Sequence, residues 1–271
     1  MQFSILGPLA AHEAGVSIVP TAAKPRQLLS LLALNANHIV TVQDLMEELW
    51  GTSPPRSAPT TLQTYILQLR RKLRAALKDG ARDVNGILVT RYGGYLLEVD
   101  PACVDALEFH RLITAGYAAF EAGSMARASI LLSSALELWH GPVLVDVTHG
   151  TQISIEVTRL TECRMGALER RIDADLQLGR HHELIGELTG LAGRCPMHEN
   201  LHGQLMLALY RAGRTADALD TYQRLRDSLV EDLGLEPSSP VRRLQRAILR
   251  SDPALDLREE PIRPYGGALV G

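Results

Sequence analysis

The chain has 271 residues, of which 46% are hydrophobic and 22% charged, and its formal net charge is −3. This composition is typical of a globular protein long enough for two domains with separate cores, and it excludes a disordered or fibrous chain. No apolar run approaches the roughly 18 residues of a membrane span, and the N-terminus lacks the pattern of a secretion signal. We therefore expect a cytoplasmic protein with no membrane partner.

The distribution of charge and the number of cysteines further restrict the kind of protein that the sequence can encode. Residues 1–100 contain 10 Lys and Arg against 8 Asp and Glu, whereas residues 101–271 contain 18 against 23. A basic first part and an acidic second part fit a domain that contacts phosphates followed by one that contacts protein. The three widely spaced cysteines lack any C-x-x-C pair, so neither a disulfide framework nor a zinc ribbon is predicted.

The first part of the chain begins with short β-prone segments. Runs at 3–6 and 16–19, separated by a Gly-Pro turn and a polar stretch, predict a small sheet of three short strands. The dense leucines that follow predict a helix over Lys24–Asn35, with Pro25 in its first turn. A further short strand is expected near His38–Val40.

A second helix is predicted to begin after Thr41 and to end before Gly51. Thr41 can cap its first turn because Asp44 follows three residues later, and a glycine suits the position just past a helix. The loop that leads to the next helix consists of Trp50, Gly51, Thr52, Ser53, Pro54 and Pro55. Its two prolines restrict its conformation, so it could present a surface to another protein at a low ordering cost. Trp50 itself is expected to pack in the core above Leu49.

The third predicted helix, from Ser57 to Lys78, has two contrasting faces at 100° per residue. Its apolar stripe is Leu62, Ile66, Leu69, Leu73 and Leu77, and the opposite face contains Thr60, Thr64, Gln68, Arg71, Arg74 and Lys78. Between Arg56 and Arg91 eight basic and two acidic residues give a net charge of +6. Thr, Gln and Arg reach base edges and phosphates from a helix in the major groove, and Leu67 could meet a thymine methyl. A solvated amphipathic helix is the alternative.

A β-hairpin is predicted directly after this helix. Residues 86–99 contain two β-rich runs around Gly93-Gly94, and the hairpin could place Arg91 in a minor groove or on its phosphates. A basic helix followed by such a hairpin is the arrangement of a winged helix. The predicted fold class is therefore an α+β winged helix-turn-helix domain over residues 1–100.

After residue 100 the pattern contains helices only. At an offset of 34 residues Ala174 aligns with Ala208, Gly179 with Gly213, Arg180 with Arg214, Glu183 with Asp217 and Leu191 with Leu225. Thirty-four is the period of tetratricopeptide helix pairs. We expect an all-α tetratricopeptide-like domain over residues 101–250 that offers a concave surface to a partner. An all-α bundle with a chance offset is the alternative, and residues 251–271, rich in proline, are predicted to be disordered.

One enzyme motif is present. His198, Glu199 and His202 match H-E-x-x-H, which on a helix can bind zinc with the glutamate as base. The match lies just after Pro196, inside the repeats, and the downstream glycine and third histidine of the longer motif are absent. Phosphate-binding and nucleophile motifs are also absent from the sequence. We therefore predict a protein that is not an enzyme, with no catalytic residue, metal or cofactor.

The sequence resembles the Streptomyces antibiotic regulatory proteins, which combine an OmpR/PhoB-type winged helix with a bacterial transcriptional activation domain. The segments that carry the resemblance are PRQLLSLLALNAN, LMEELWGTSPPRSAPTTLQTYILQLRRKLR, LVTRYGGYLLEVDP, LELWHGPVLVDV, RRIDADLQLGRHHELIGEL and LHGQLMLALYRAGRTADALDTYQRLRDSLVEDLGLEPS. Together they extend from Phe3 to about Leu249.

This resemblance implies an activator that binds direct repeats of double-stranded DNA near the −35 region of antibiotic biosynthesis genes, beside a second protomer, and recruits RNA polymerase through its sigma factor and alpha subunit. The implied DNA contacts are Thr60, Thr61, Gln63, Thr64, Gln68, Arg71, Lys72, Arg74 and Lys78 on the recognition helix, and Arg91 and Tyr92 in the wing. The implied polymerase contact is the loop Trp50–Pro55. A tetratricopeptide adaptor that binds only protein, a repressor of the same fold and a zinc hydrolase are the alternatives.

Overall fold

A computed structural model describes residues 1–77 and 84–256. The chain divides into two compact units, Met1–Leu168 and Glu169–Gly271. Within the described residues no helix is both long and apolar enough to cross a bilayer. The fold class predicted from the sequence, a winged helix-turn-helix followed by a helical domain, is confirmed.

The first unit opens with a small antiparallel sheet. Its strands are β1 (Gln2–Ser4), β2 (Ala10–Glu13) and β3 (Val16–Ser17), in the order β1-β2-β3. Phe3 pairs with Ala11, and both side chains are buried. The three predicted strands are therefore present, and alternate residues of β1 and β2 supply one side of the core.

The helices and second sheet of the winged helix follow. They are α1 (Ala23–Leu34), β4 (Ile39–Thr41), α2 (Val42–Trp50), α3 (Ala58–Ala76), β5 (Leu88–Arg91) and β6 (Gly94–Leu97). The strands form an antiparallel sheet in the order β4-β6-β5. The Thr41 side chain accepts a hydrogen bond from the Asp44 N–H at 3.1 Å, as the capping pattern predicts. Short 3₁₀ turns lie at Val84–Gly86 and Pro101–Cys103.

Helices make up the rest of the chain. They are α4 (Asp105–Glu121), α5 (Met125–Glu137), α6 (Thr151–Gln177), α7 (His181–Arg194), α8 (Glu199–Arg211), α9 (Thr215–Leu233) and α10 (Ser239–Leu249). The boundary between the compact units falls within α6. A last 3₁₀ turn, Pro253–Leu255, is held to α8 by Arg211, whose Nε donates to the Leu255 carbonyl at 2.7 Å. Residues 251–256 of the predicted disordered tail are thus ordered, and the remainder lies outside the described residues.

The 34-residue offset corresponds to a repeated turn. Gly179 and Gly213 have φ of +79° and +75°, a conformation that glycine adopts without steric cost. Each glycine N–H bonds a carbonyl three residues back, and the arginine that follows it bonds a carbonyl five residues back. Ala174 and Ala208 are both fully buried, as expected for small residues packed between helices.

A buried carboxylate joins α2 to the start of α6 within the first unit. The Glu48 side chain accepts hydrogen bonds from the backbone N–H groups of Gly150 (2.6 Å), Gln152 (2.8 Å) and Ile153 (3.1 Å). Gln27 Nε2 adds a fourth donor at 2.8 Å. Glu48 therefore caps a helix 102 residues further along the chain and places negative charge at its N-terminus. Gly150 permits this approach, because a Cβ there would lie 2.4 Å from the Glu48 carbonyl oxygen.

A second carboxylate, Asp105, joins the start of α4 to the first sheet. It accepts from the N–H groups of Ile5 (2.9 Å), Leu6 (3.0 Å) and Ala106 (2.8 Å). Burial raises the pKa of Asp105, and these three backbone bonds oppose that rise because they stabilise the ionised form. Contacts of this kind explain why the first compact unit extends to Leu168, well beyond the predicted division at residue 100.

We expect Glu48→Ala to lower the free energy of unfolding of the first unit by about 3 kcal/mol, because it leaves several buried N–H groups without an acceptor. Trp50 and Trp139 both lie in this unit, so denaturant unfolding followed by tryptophan fluorescence reports on it selectively. The neighbouring Glu47, whose side chain makes no hydrogen bond or ion pair with the described residues, is the matched control. Equal stability of the two alanine variants would contradict a structural role for the Glu48 carboxylate.

Candidate nucleic-acid interface

The orientation of α3 is fixed by its apolar stripe. Leu62, Ile66, Leu69 and Leu73 are 1–2% exposed and belong to the core of the first unit. Burial of each such side chain contributes roughly 1.5–3 kcal/mol, so a rotation of the helix about its axis is strongly disfavoured. The opposite face must therefore point to solvent.

The predicted recognition residues divide into two groups by exposure. Those fully on the solvent face are Thr60, Gln63, Thr64, Gln68, Arg71 and Arg74. Thr61 and Lys72 lie on the flanks and are half-buried, whereas Lys78 lies outside the described residues. Leu67, in the middle of the exposed face, is 54% exposed although it is apolar. Within residues 1–77 and 84–256, neither the Arg71 nor the Arg74 side chain has a hydrogen-bond or ion-pair partner.

Arg70 has a different role from its neighbours. Its Nε and one terminal nitrogen donate to the Leu88 carbonyl of β5 at 3.1 and 2.7 Å, and that nitrogen also donates to Thr90 Oγ1 at 2.8 Å. It therefore ties the hairpin to α3. In the charge count, Arg70 was one more cation of the basic stretch. Its sequence context did not indicate that its guanidinium group would bind a backbone carbonyl of β5.

The wing is the hairpin of β5 and β6. Its tight turn contains Tyr92, which is fully exposed, and Gly93 at φ +76°. Arg91 ends β5 and lies 3.7 Å from the Glu98 carboxylate, with about half of each side chain exposed. An exposed pair at this distance contributes at most about 1 kcal/mol, so a phosphate can replace Glu98 as the partner of Arg91.

The loop between α2 and α3 is anchored at one end and exposed over the rest. Trp50, predicted to be a core residue, is half-buried and stacks on Tyr65 of α3 with ring centroids 6.3 Å apart. The Lys24 ammonium lies 4.9 Å from the Trp50 ring centroid and donates to the Leu49 carbonyl. The residues from Gly51 to Pro55 are all exposed. The loop is therefore exposed, and the contacts of Trp50 fix the position at which it leaves α2.

The H-E-x-x-H residues have structural contacts. His198 precedes α8 and lies 3.1 Å from Glu169, and Glu199 accepts the Ser238 N–H at 2.6 Å. His202 is buried, and loss of solvation lowers its pKa. Across the described part of the chain no group of three or more His, Cys, Asp or Glu residues could hold a metal ion.

The arrangement as a whole is typical of a sequence-specific DNA-binding domain. A helix with exposed Thr, Gln and Arg side chains can enter a major groove, where Arg and Gln form paired hydrogen bonds with guanine and adenine. The adjacent hairpin presents an exposed arginine and an exposed tyrosine, residue types that can contact phosphates. These features define a winged-helix DNA-binding regulator.

Comparison with known proteins agrees with this class. The model of the bacterial transcriptional activator domain matches residues 104–249, and that of the C-terminal domain of transcriptional regulatory proteins matches residues 17–97. The regulatory protein DnrI of Streptomyces peucetius is 53% identical over 274 residues, covering 100% of this chain and 99% of DnrI. The transcriptional regulator RedD of Streptomyces coelicolor is 35% identical, covering 100% of this chain and 77% of RedD.

A solved structure is also similar. EmbR of Mycobacterium tuberculosis, in complex with a low-affinity phosphopeptide, superposes with a TM-score of 0.86 at 34% identity. The match covers 92% of this chain but 65% of the EmbR chain. The chain belongs to the Streptomyces antibiotic regulatory protein family, whose members are DNA-binding transcriptional regulators and not enzymes.

Arg70→Ala should lower the free energy of unfolding of the first unit by about 1–2 kcal/mol, because the Leu88 carbonyl and Thr90 lose their donor. DNA affinity should also fall, since the wing is no longer held against α3. The slope of log affinity against log salt should stay as in the unaltered protein, whereas loss of a phosphate contact would make it shallower by about 0.9.

The control for this prediction is Arg74→Ala, which removes an exposed arginine of the same helix and should change stability by no more than about 0.5 kcal/mol. Equal stability of the two variants would contradict a role for Arg70 in holding the wing, and a shallower salt slope for Arg70→Ala would assign Arg70 to a phosphate contact.

Proposed function

We propose that this protein activates transcription of an antibiotic biosynthesis gene cluster, by binding direct repeats near the −35 region as a pair of protomers and recruiting RNA polymerase. The observation that carries the proposal is the exposed face of α3, whose Arg71 and Arg74 have no partner among the described residues. An arginine held on a solvent face by a buried stripe keeps its donors available for a base or a phosphate.

Sequence reading is assigned to the middle of this face. Thr64 and Gln68 lie one helical turn apart, and Arg71 follows on the same side of α3. The Thr64 hydroxyl donates to the Thr60 carbonyl at 3.0 Å, which leaves its oxygen lone pairs available. Gln68 and Arg71 are the side chains able to form bidentate bonds with adenine and guanine. Leu67 supplies the apolar surface that a thymine methyl would contact.

On direct repeats the two protomers would meet head to tail. Winged helices that read the same sequence in the same direction lie head to tail, so the surface on one protomer differs from the surface it meets on the next. Membership of the Streptomyces antibiotic regulatory protein family, with DnrI and RedD among the relatives, supports control of an antibiotic pathway. A regulator that acts on bacterial DNA would work in the cytoplasm.

Polymerase recruitment is assigned to the loop Trp50–Pro55. Gly51 to Pro55 are exposed, two prolines restrict the loop, and the Trp50–Tyr65 stack fixes where it leaves α2. A surface that is already ordered binds a partner with less entropic loss than a mobile one. The sigma factor and the alpha subunit are the proposed partners.

The first experiment is recovery of genomic fragments bound by the purified protein, followed by in vitro transcription from the strongest site. We expect spaced direct repeats upstream of a −35 region and a rise in transcript. Transcription that falls would indicate a repressor of the same fold. No enrichment over bulk DNA would favour a protein-binding adaptor.

Arg71→Ala should weaken binding to the recovered site by roughly 1–3 kcal/mol if Arg71 pairs with a guanine, with most of the loss confined to that sequence. If Arg71 meets a phosphate instead, the loss will be uniform across sequences and the salt slope about 0.9 shallower. Mobility shifts at several salt concentrations distinguish the two. Arg127→Ala, on the exposed face of α5, is the matched control, and unchanged binding by Arg71→Ala would remove it from the interface.

Ser53→Glu should reduce transcription from the recovered site about fivefold, equivalent to roughly 1 kcal/mol lost at a protein interface, while DNA binding is kept. The residue is exposed, so folding should not change. Gln43→Glu, on the exposed side of α2, introduces the same charge outside the loop and should leave transcription unaltered. Equal transcription by both variants and the unaltered protein would exclude the loop at Ser53 as a polymerase contact.

A further inference from the structure

The second compact unit contains a cavity between α6, α8 and α10 that the DNA-binding function does not use. Its volume is ≈ 380 Å³, within the range of small-molecule sites. The apolar part of its wall is formed by Leu176, Leu207, Val241 and Leu244. Most of the surface that a ligand would meet is therefore aliphatic.

A glycine in the middle of α8 keeps this space open. A Cβ built at Gly203 would have one neighbour, Leu244 Cδ2, at 3.9 Å. Glycine inside a helix is less favourable than alanine, and no close backbone contact requires it here. The cavity beside Gly203 is open because this residue has no side chain. Helix stability alone would favour a different residue here.

The charged residues of the wall are both acidic. Asp173 and Glu199 both line the cavity, and none of the described lining residues is Lys, Arg or His. Glu199 accepts the Ser238 N–H, which fixes the start of α10. Burial raises the pKa of Asp173, while the Gln204 hydrogen bond and the nearby Arg170 act in the opposite direction. A cation placed beside Asp173 would relieve the cost of its burial.

The Gln204 side chain next to Asp173 contains a buried acceptor that no donor contacts within the described residues. Its side chain is 5% exposed, and Nε2 donates to Asp173 Oδ1 at 2.7 Å and to the Glu169 carbonyl at 3.0 Å. These bonds use the amide donors and fix the orientation of the amide group. Its Oε1 is buried and has no partner among the described residues. A buried acceptor without a donor is destabilising, so this atom marks a place where an added donor would be favourable.

We propose that this cavity binds a small amphipathic amine, with the ammonium group at Asp173 and the apolar body between α8 and α10. An ammonium group has three donors, which suit the two oxygens of the Asp173 carboxylate next to Gln204. A carboxylate ligand is disfavoured by Asp173 and Glu199, and a neutral ligand gains no ionic contact with either.

The test compares three probes of equal apolar size, 4-phenylbutylamine, 4-phenylbutan-1-ol and 4-phenylbutyrate, by NMR titration of the full chain. We expect the amine to bind about tenfold more tightly than the alcohol, and the carboxylate to bind least. Asp173→Asn should abolish the preference for the amine over the alcohol. Asp220→Asn removes an exposed carboxylate of α9 that does not line this cavity, and it should leave the preference unchanged.

Gly203→Leu fills the cavity and should eliminate binding of both the amine and the alcohol. The substitution replaces a poor helix former with a good one, so the variant should fold. Arg71→Ala should bind the amine normally, which separates this site from DNA recognition. The proposal is overturned if the amine does not bind, if amine and alcohol bind equally, or if amine binding survives in Gly203→Leu.

Discussion

The first unit depends on a constraint that Glu48 imposes. A carboxylate that is 3% exposed must be surrounded by donors, and here three of those donors are backbone N–H groups at the start of α6. Because the donors belong to the free first turn of a helix, their own hydrogen-bonding requirement is met by the same contact. The helix α2, which precedes the loop Trp50–Pro55, is thereby joined to the start of α6.

This coupling changes how the domain organisation is understood. The two family models match residues 17–97 and 104–249, so they divide the chain between residues 97 and 104. The packing does not follow that boundary, because Asp105 and Glu48 bind backbone on the other side of it. Asp146 adds to the connection, since it accepts the Leu9 N–H at 2.7 Å and pairs with Arg26 at 2.9 Å. Segments distinct in sequence can thus form one compact unit.

Local signals in the sequence predicted most of the fold. The Thr41 cap, the stripe of α3 and the paired glycines at 179 and 213 each act over one or two helical turns, so a pattern of spacing is enough to recognise them. The contacts of Glu48, Arg70 and Asp105 could not be found in this way. Each depends on atoms 18 to about 100 residues away, and the residue types are as common on a solvated surface. The exposed face of α3 was predictable because it lies opposite the buried apolar stripe, and that stripe can be recognised from its spacing.

The basic stretch shows why a charge count is an incomplete guide to a binding surface. Arg70 and Arg71 are adjacent in sequence and identical in charge, yet one is bound to the Leu88 carbonyl and the other is exposed without a partner among the described residues. Adjacent residues of a helix point 100° apart, and the buried stripe fixes the rotation of α3. Arg70 therefore lies on the side of the hairpin, and Arg71 on the solvent face. The net charge of +6 draws DNA toward this part of the chain as a whole. Which arginine then contacts DNA, and which positions the wing, is determined by packing.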